Sequence, residues 1–244
     1  ALSDVWGIGR RTLEVLNYYG IHTPLQFADK KESWVRAHFH QPGVQTWMEL
    51  NGIPCIDTSE VIRNQNICTS RSFGDMVSDL PSLKASVASF ASSCANKLRG
   101  QQSVCQSVTV FVSSNSFRTD LPQYGNAATV LLATPTADTL EINKAAMQCL
   151  ESVYLPGIMY KKSGVLLGKI SPAYPAQMEL FNSPVRRMRR ENLMHALDDI
   201  NQRYGAKTLH LAVEDCGHQP WHVKCEHRSP NYLTDINEIL TIRI

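Results

Sequence analysis

The spacing of apolar residues from 67 to 170 constrains this chain more than any other feature. It switches repeatedly between the two-residue repeat of a strand and the three-to-four-residue repeat of a helix. Residues 67–74 are short and strand-like. Leu83, Val87, Phe90, Cys94 and Leu98 then form one helical stripe, which Gly100 ends. Val108, Val110 and Val112 alternate with Ser107, Thr109 and Phe111, the period of a half-buried strand. A further strand is predicted over 127–134, after a turn-rich loop. Ile142, Ala146, Cys149 and Val153 make a second helical stripe, begun by a capping arrangement from Asp138 to Glu141. Residues 164–170 are a nearly continuous apolar run, as inside a sheet. The order β-α-β-β-α-β predicts a ferredoxin-like unit over 66–171, an antiparallel sheet with both helices on one face and the other face free. Arg71, Ser113, Ser114, Lys161 and Lys162 edge that free face, where they read either as phosphate contacts or as an ordinary solvated surface.

The segment ahead of this unit opens on Val5-Trp6-Gly7-Ile8-Gly9-Arg10-Arg11. Two glycines around one apolar residue predict a tight turn between two short helices, since glycine takes positive φ without a Cβ penalty. The amides of Gly7, Ile8 and Gly9 are expected to point outward at the N-terminus of the next helix, where unpaired N–H groups and the helix dipole favour an anion. Arg10 and Arg11 add full charges beside them. Leu13, Leu16 and Tyr19 carry the helix to a C-cap at Gly20, with Trp6 and Ile8 turned inward as anchors. Thr23 with Pro24 starts a short helix through Ala28. Trp34, Val35 and Phe39, then Val44, Trp47, Met48 and Leu50, mark two more helices, broken by Gln41-Pro42-Gly43. Residues 1–65 thus read as a small all-helical domain ending in a polar linker. The turn resembles the helix-hairpin-helix of many DNA repair and replication proteins, which implies a grip on DNA phosphates. An ordinary glycine turn between two core helices fits the same residues.

Composition narrows the setting. A net charge of +2 and a pI near 8.2 do not mark a nucleic-acid binder by themselves, so any DNA contact has to come from local clustering. No apolar run is long enough to cross a bilayer and no signal-peptide pattern opens the chain, so a soluble, cytoplasmic protein without a membrane partner is expected. The seven cysteines sit in no CxxC pair and mostly in apolar segments, as expected of reduced thiols packed in a core. The chain begins at Ala1, almost directly at the hairpin, and a longer parent protein is expected.

The order of parts resembles one family. VWGIGRR at 5–11, SRSFG at 70–74, YGN at 124–126 ahead of a strand and GVLLG at 164–168 resemble the C-terminal half of a Y-family translesion polymerase. The likeness is to the UmuC type, the catalytic subunit of bacterial DNA polymerase V, and it runs over essentially all of the chain. It implies an α+β chain built as a helix-hairpin-helix thumb (1–65), a DNA-binding little finger (66–171) and, over 172–244, a clamp-binding linker with an accessory-protein tail made of a helix and a hairpin. It also implies damaged or primer-template DNA, a sliding clamp, a UmuD-type accessory subunit and the RecA filament as partners, in the error-prone repair of the SOS response. Magnesium belongs by the same resemblance to the parent polymerase, and no cofactor to this part.

Two-metal phosphoryl transfer needs clustered carboxylates, and the chain offers only poor candidates. Glu214-Asp215 follows an apolar run like catalytic acids on a strand, yet no third carboxylate with a supporting motif accompanies it and Cys216-Gly217-His218 reads as a hairpin turn. Asp198-Asp199 falls on the wet side of a helix. No catalytic residue is therefore expected here. Two other readings remain: a non-catalytic, clamp-tethered DNA-binding adaptor, and a fragment of a helix-hairpin-helix repair nuclease or glycosylase. The second wants a catalytic Lys or Asp beside the hairpin, which the sequence lacks.

Gln177-Met178-Glu179-Leu180-Phe181, after the proline-rich 172–175, resembles the QxxLF pentapeptide by which bacterial polymerases bind the sliding clamp. Leu180 and Phe181 suit an apolar pocket and Gln177 its rim; a local staple onto the next helix is the alternative. Arg186, Arg187, Arg189 and Arg190 open that helix, whose apolar side is Leu193, Leu197, Ile200 and Tyr204. Set against the dipole, they read as a phosphate or acidic-partner contact or as a solvated basic face. A hairpin is predicted from 208–213 and 221–225. His210, Cys216, His218, His222, Cys225 and His227 crowd together, but their spacing fits no pair of zinc knuckles, so no metal is expected. Changing Leu180 and Phe181 together to Ala is expected to abolish clamp binding in calorimetric titration and to leave the thermal midpoint nearly unchanged. A much lower midpoint would assign both side chains to a core.

Overall fold

The computed structural model describes residues 1–55, 63–173, 184–214, 219–224, 229–231 and 238, with the backbone alone described for 184–187. The chain divides into two compact units, 1–62 and 63–244.

In the first unit a short 3-10 turn, Leu2–Asp4, precedes helix α1 (Arg10–Tyr18), followed by α2 (Pro24–Ala28), α3 (Glu32–His38) and α4 (Gln41–Leu50). The end of α1 is closed by amides beyond it: Gly20 N–H donates to the Asn17 carbonyl (3.0 Å) and Ile21 N–H to the Leu16 carbonyl (2.9 Å). That pairing satisfies carbonyls which a helix end otherwise leaves open. The Thr23 hydroxyl accepts from Gln26 N–H at 3.2 Å while the Gln26 side chain accepts from Thr23 N–H at 3.1 Å, so α2 begins with a reciprocal cap. Leu2, Ile8, Leu16, Ile21, Phe27, Val35 and Val44 form the core. Gln41-Pro42-Gly43 corrects the sequence reading: it does not break a helix but is the first turn of α4, capped at His40. Proline is tolerated there because the first-turn amides have no helical acceptor.

The second unit contains β1 (Ile67–Val77), α5 (Leu80–Gly100), β2 (Ser103–Ser114), β3 (Gly125–Thr136), α6 (Thr139–Val153), β4 (Tyr160–Gly168), the short β5 (Ser171–Pro172) and α7 (Pro184–Tyr204). All main pairings are antiparallel, and the strand order is β1-β4-β2-β3, with β5 on the start of β2. The predicted element order is present, and the apolar sides of α5 and α6 meet the sheet in one core. Strand order corrects the ferredoxin-like assignment, in which β1 and β3 lie in the middle. Here β4 and β2 are central, and β1 and β3 are the edges. The apolar run of β4 follows from that central place, since Val165 and Leu167 are fully buried. Both helices start on aspartate caps: Asp79 accepts from Ser82 N–H at 2.8 Å and Asp138 from Leu140 N–H at 2.7 Å. Cys94, Cys105 and Cys149 are buried, and burial pushes the Cys105 thiol up to about 12 and raises the other two, which keeps all three protonated.

The end of the chain departs most from expectation. Residues 208–213 and 221–224 form no hairpin strands; the first run ends in a 3-10 turn, Ala212–Glu214. Residues 219–224 instead lie along the β1 edge, where Gly74 N–H donates to the His222 carbonyl (3.1 Å) and Asp75 N–H to the Pro220 carbonyl (3.0 Å). A Cβ on Gly74 would overlap that His222 carbonyl, so the close approach requires glycine. Trp221 is buried and meets Phe90 edge-on at 5.7 Å between centroids. Glu214 is 3% exposed, and its carboxylate accepts from the Ser92 hydroxyl (2.7 Å) and Leu211 N–H (3.2 Å). It is a buried structural acid.

Helix α7 docks through Arg190, Met194 and Asp198, spaced one turn apart. Arg99 holds Asp198 with two bonds of 2.6 Å, and Arg190 reaches Asp138 at 2.7 Å and Glu141 at 2.9 Å. Met194 is buried; of the stripe read from the sequence, Leu197 and Ile200 are half-buried while Leu193 and Tyr204 are exposed, so the stripe is only partly the docked face. Nor is Asp198 on the wet side. No helix among the described residues is long and apolar enough to cross a membrane. Trp221→Ala is expected to destabilise the second unit by about 3–5 kcal/mol, the cost of emptying a large aromatic site, measured by urea or thermal unfolding.

Candidate nucleic-acid interface

The turn ahead of α1 is built from its contacts outward. Val5 is partly buried against the first core and Ile8 is buried within it, so the chain enters and leaves the turn on fixed anchors. Gly7 lies at φ +91, and a Cβ there would overlap the Thr46 hydroxyl of α4. Both the backbone angle and the close packing therefore demand glycine at position 7. Gly9 differs from the expectation. Its φ is −83, it is the N-cap of α1, and a Cβ on it meets nothing within 4 Å.

The amides divide in the same way. Ile8 N–H turns inward to the Val5 carbonyl at 3.1 Å, so it is not one of the outward donors that the spacing suggested. Gly9 has no side chain with which to cap α1, and no side-chain hydrogen bond closes that end. The first-turn amides of α1 thus face solvent at the positive end of the helix dipole, the arrangement that accepts an anion. Arg10 and Arg11 stand in this turn and are exposed; Arg10 reaches Glu14 at 3.4 Å. Trp6 is the second correction. It is 87% exposed, because the anchoring is done by Val5 and Ile8 on either side of it.

On the sheet, the pleat sorts the five predicted residues. Lys162 of β4 pairs with Ser72 of β1 and Ser113 of β2, which places Lys162 and Ser113 together on the face away from α5 and α6. Lys162 Nζ lies 5.8 Å from the centroid of the Phe111 ring on that face. Arg71 pairs with Ser163, whose hydroxyl lies 3.1 Å from Ser86 of α5, so Arg71 belongs to the helix side of an edge strand. Lys161 donates to the Phe73 carbonyl at 2.5 Å and bridges the irregular part of β1. The Ser114 hydroxyl accepts from Tyr124 N–H at 2.9 Å and braces the β2–β3 loop. Of the five, the open face gathers two. The same face also carries Ser70 and Ser72 of β1 and Thr109 of β2, bonded to Thr129 of β3 at 2.8 Å, together with the apolar Leu166 of β4 and Leu131 of β3, the latter 62% exposed. Side-chain parity along paired strands was the signal for this sorting, and it becomes usable only when the partners are known.

Residues 177–181 and the side chains of Arg186 and Arg187 lie outside the described residues, as do Cys216, His218, Cys225 and His227. Arg190, by contrast, is committed to Asp138 and Glu141.

Comparison with known proteins finds relatives over nearly the whole chain. A family model described as the impB/mucB/samB family C-terminal domain matches residues 64–180, and a second, described as a domain of unknown function, matches 191–242. The chain is 37% identical over 243 residues to the protein UmuC of Salmonella typhimurium, covering 99% of the chain and 57% of that relative. It is 36% identical over 234 residues to the protein SamB of Salmonella typhimurium, covering 96% of the chain and 55% of the relative. To the protein MucB of Escherichia coli it is 34% identical over 239 residues, covering 98% and 56%. The chain thus spans a little over half the length of these relatives.

Gly7→Ala is expected to lower the stability of the first unit by at least about 1 kcal/mol, and Gly9→Ala to leave it nearly unchanged, as read by chemical denaturation. Equal effects at the two positions would contradict the geometry of the turn.

Proposed function

The chain belongs to the UmuC type, or impB/mucB/samB family, of the Y-family polymerases and carries its C-terminal part, and from that premise we propose that it is the DNA-holding and partner-docking part of an error-prone translesion polymerase acting in DNA damage repair and the SOS response. The observation that carries this reading is the open start of α1: a glycine-bound turn, free first-turn amides and two exposed arginines presented together. Contacts of this type take hold of phosphate and read no bases, which suits a protein that must travel over any sequence and past damaged bases. In this reading the hairpin grips the duplex backbone. Lys162 and Ser113 of the open sheet face would add further DNA contacts from the second unit.

The rest of the assembly follows from the family. Magnesium and the carboxylates that hold it belong to the parent polymerase, and the part described here binds without catalysing. The pentapeptide at 177–181 would tether the protein to the sliding clamp. The UmuD-type subunit and the RecA filament would meet the C-terminal region, and the compartment is the cytoplasm.

Fluorescence anisotropy with labelled primer-template DNA tests the central claim. Weak binding is expected, with log K falling linearly against log salt at a slope of about −0.9 for each phosphate neutralised. Primer extension with nucleotides and magnesium is expected to yield no product. Salt-independent binding, or template-dependent extension by the pure chain, would overturn the proposal.

A further inference from the structure

A group of rings in mutual contact lies on the surface of the first unit, at the opposite end of α1 from the glycine turn. Tyr18 and Tyr19 close α1, and Trp34 and His38 stand one turn apart on α3. Tyr18 meets Tyr19 edge-on at 5.1 Å between centroids, and Tyr19 meets Trp34 at 5.3 Å and His38 at 4.8 Å, again edge-on. His38 stacks on Trp34 at 4.3 Å while its Nδ1 donates to the Trp34 carbonyl at 2.7 Å, so the imidazole is held both by its face and by its edge. Only part of the cluster serves the core. Trp34 is half-buried against it, whereas Tyr18 is 83% exposed, Tyr19 is 44% exposed and His38 is exposed as well. Rings braced against one another in this way are already ordered, so a partner covering them gains aromatic contact at little cost in conformational entropy.

Charge at the margin says which partner fits. Lys30 Nζ lies 5.5 Å from the centroid of the Trp34 ring, and Lys31 follows it as the N-cap of α3. The acids of the same two helices are committed elsewhere: Glu14 lies 3.4 Å from Arg10 and Glu32 2.7 Å from Arg36. The ring geometry also selects against a nucleic acid. Single strands bind by laying bases flat on successive aromatic faces. Here one face of Trp34 is taken by His38, Lys30 lies over the same indole, and the tyrosines stand edge-on to their neighbours. We propose that this cluster is a docking surface for a partner protein, which it takes through an acidic segment with aliphatic anchors. The anchors pack on Tyr18 and Tyr19, and the carboxylates meet Lys30 and Lys31. An aromatic centre with a charged margin is the anatomy of a protein interface, and the sign of the margin selects the partner.

The test uses the whole chain, with a thermal melt of every variant and anisotropy titrations against fluorescein-labelled probes. The probes are a peptide of about twelve residues alternating glutamate pairs with leucine pairs, the same peptide with glutamine for glutamate, and single-stranded oligothymidylate. The wild-type chain is expected to bind the acidic peptide and to bind its glutamine copy about tenfold more weakly. Tyr18→Ala is expected to weaken the acidic peptide about tenfold with the thermal midpoint unchanged. Lys30→Glu combined with Lys31→Glu is expected to remove the preference for the acidic peptide over its glutamine copy. No binding of the acidic peptide, or equal binding by wild type and both variants, would overturn the inference. Tighter binding of oligothymidylate than of the peptide, lost in Tyr18→Ala, would overturn it by assigning the cluster to single-stranded nucleic acid. A monomer–dimer equilibrium abolished by Tyr18→Ala, read by analytical ultracentrifugation, would overturn it in favour of a second copy of the chain. If Tyr18→Ala lowers the midpoint, that ring belongs to the fold and the lysine pair alone decides: an undiminished preference for the acidic peptide in that pair sinks the inference. Arg10 and Arg11 are untouched in every variant, so a failure here leaves the DNA-holding proposal standing.

Discussion

The second unit depends on one requirement: a four-stranded antiparallel sheet has to bury a single face, and α5 and α6 are the elements that cover it. Val108, Val110, Val112, Val165 and Leu167 of the central strands meet Leu83, Val87, Phe90, Ile142, Ala146 and Leu150 of the helices in one continuous core. The hydrophobic gain from that contact is non-directional, so it fixes which face is covered without fixing what is attached at the margins. The opposite face is not covered by α5 or α6 and mixes Ser70, Ser72, Thr109 and Lys162 with the apolar Phe111, Leu131 and Leu166. This division leaves one side of the sheet uncovered by α5 and α6.

At the margins, polar and close-packed contacts take over. The open edge of β1 is met by residues 219–224 through two backbone hydrogen bonds, and Trp221 reaches from there into the core beside Phe90. An edge strand left bare invites pairing with another chain, and this segment covers it. Helix α7 is fastened by Arg99–Asp198 and by Arg190 to Asp138 and Glu141. Those ion pairs are partly buried and bidentate at Arg99, which gives direction to a docking that apolar burial alone would leave loose. The region matched by the second family model is therefore built onto the first, through buried side chains as well as surface charge.

The first unit shows the same logic on a smaller scale. Its glycine turn is shaped by close packing: Thr46 of α4 fills the space that any side chain at position 7 would need. Anchoring by Val5 and Ile8 then turns the indole of Trp6 outward and the amide of Ile8 inward. What the turn offers to a ligand is thus decided by a helix that follows it by some thirty residues in the chain, a contact of long sequence separation that local pattern does not contain.

Local periodicity was enough to read the order of elements from β1 to β4, the caps at Thr23 and Asp138, and the likeness of VWGIGRR to a DNA hairpin, because each of these depends on residues within a turn or two of one another. Strand order was beyond it, since β1-β4-β2-β3 and the ferredoxin-like order share one sequence of elements and differ only in which edges pair. The sorting of Arg71, Lys161 and Ser114 away from Lys162 and Ser113 follows from that pairing. Pro42 and Asp198 misled for a related reason: a helix start and a partly buried ion pair look, in one dimension, like a break and a wet face, whereas Asp199 is exposed as read. Sequence alone determined which residues are apolar and how often they recur. Tertiary structure decided which of them meet, because packing and pairing act between residues that are distant in the chain and adjacent only in space.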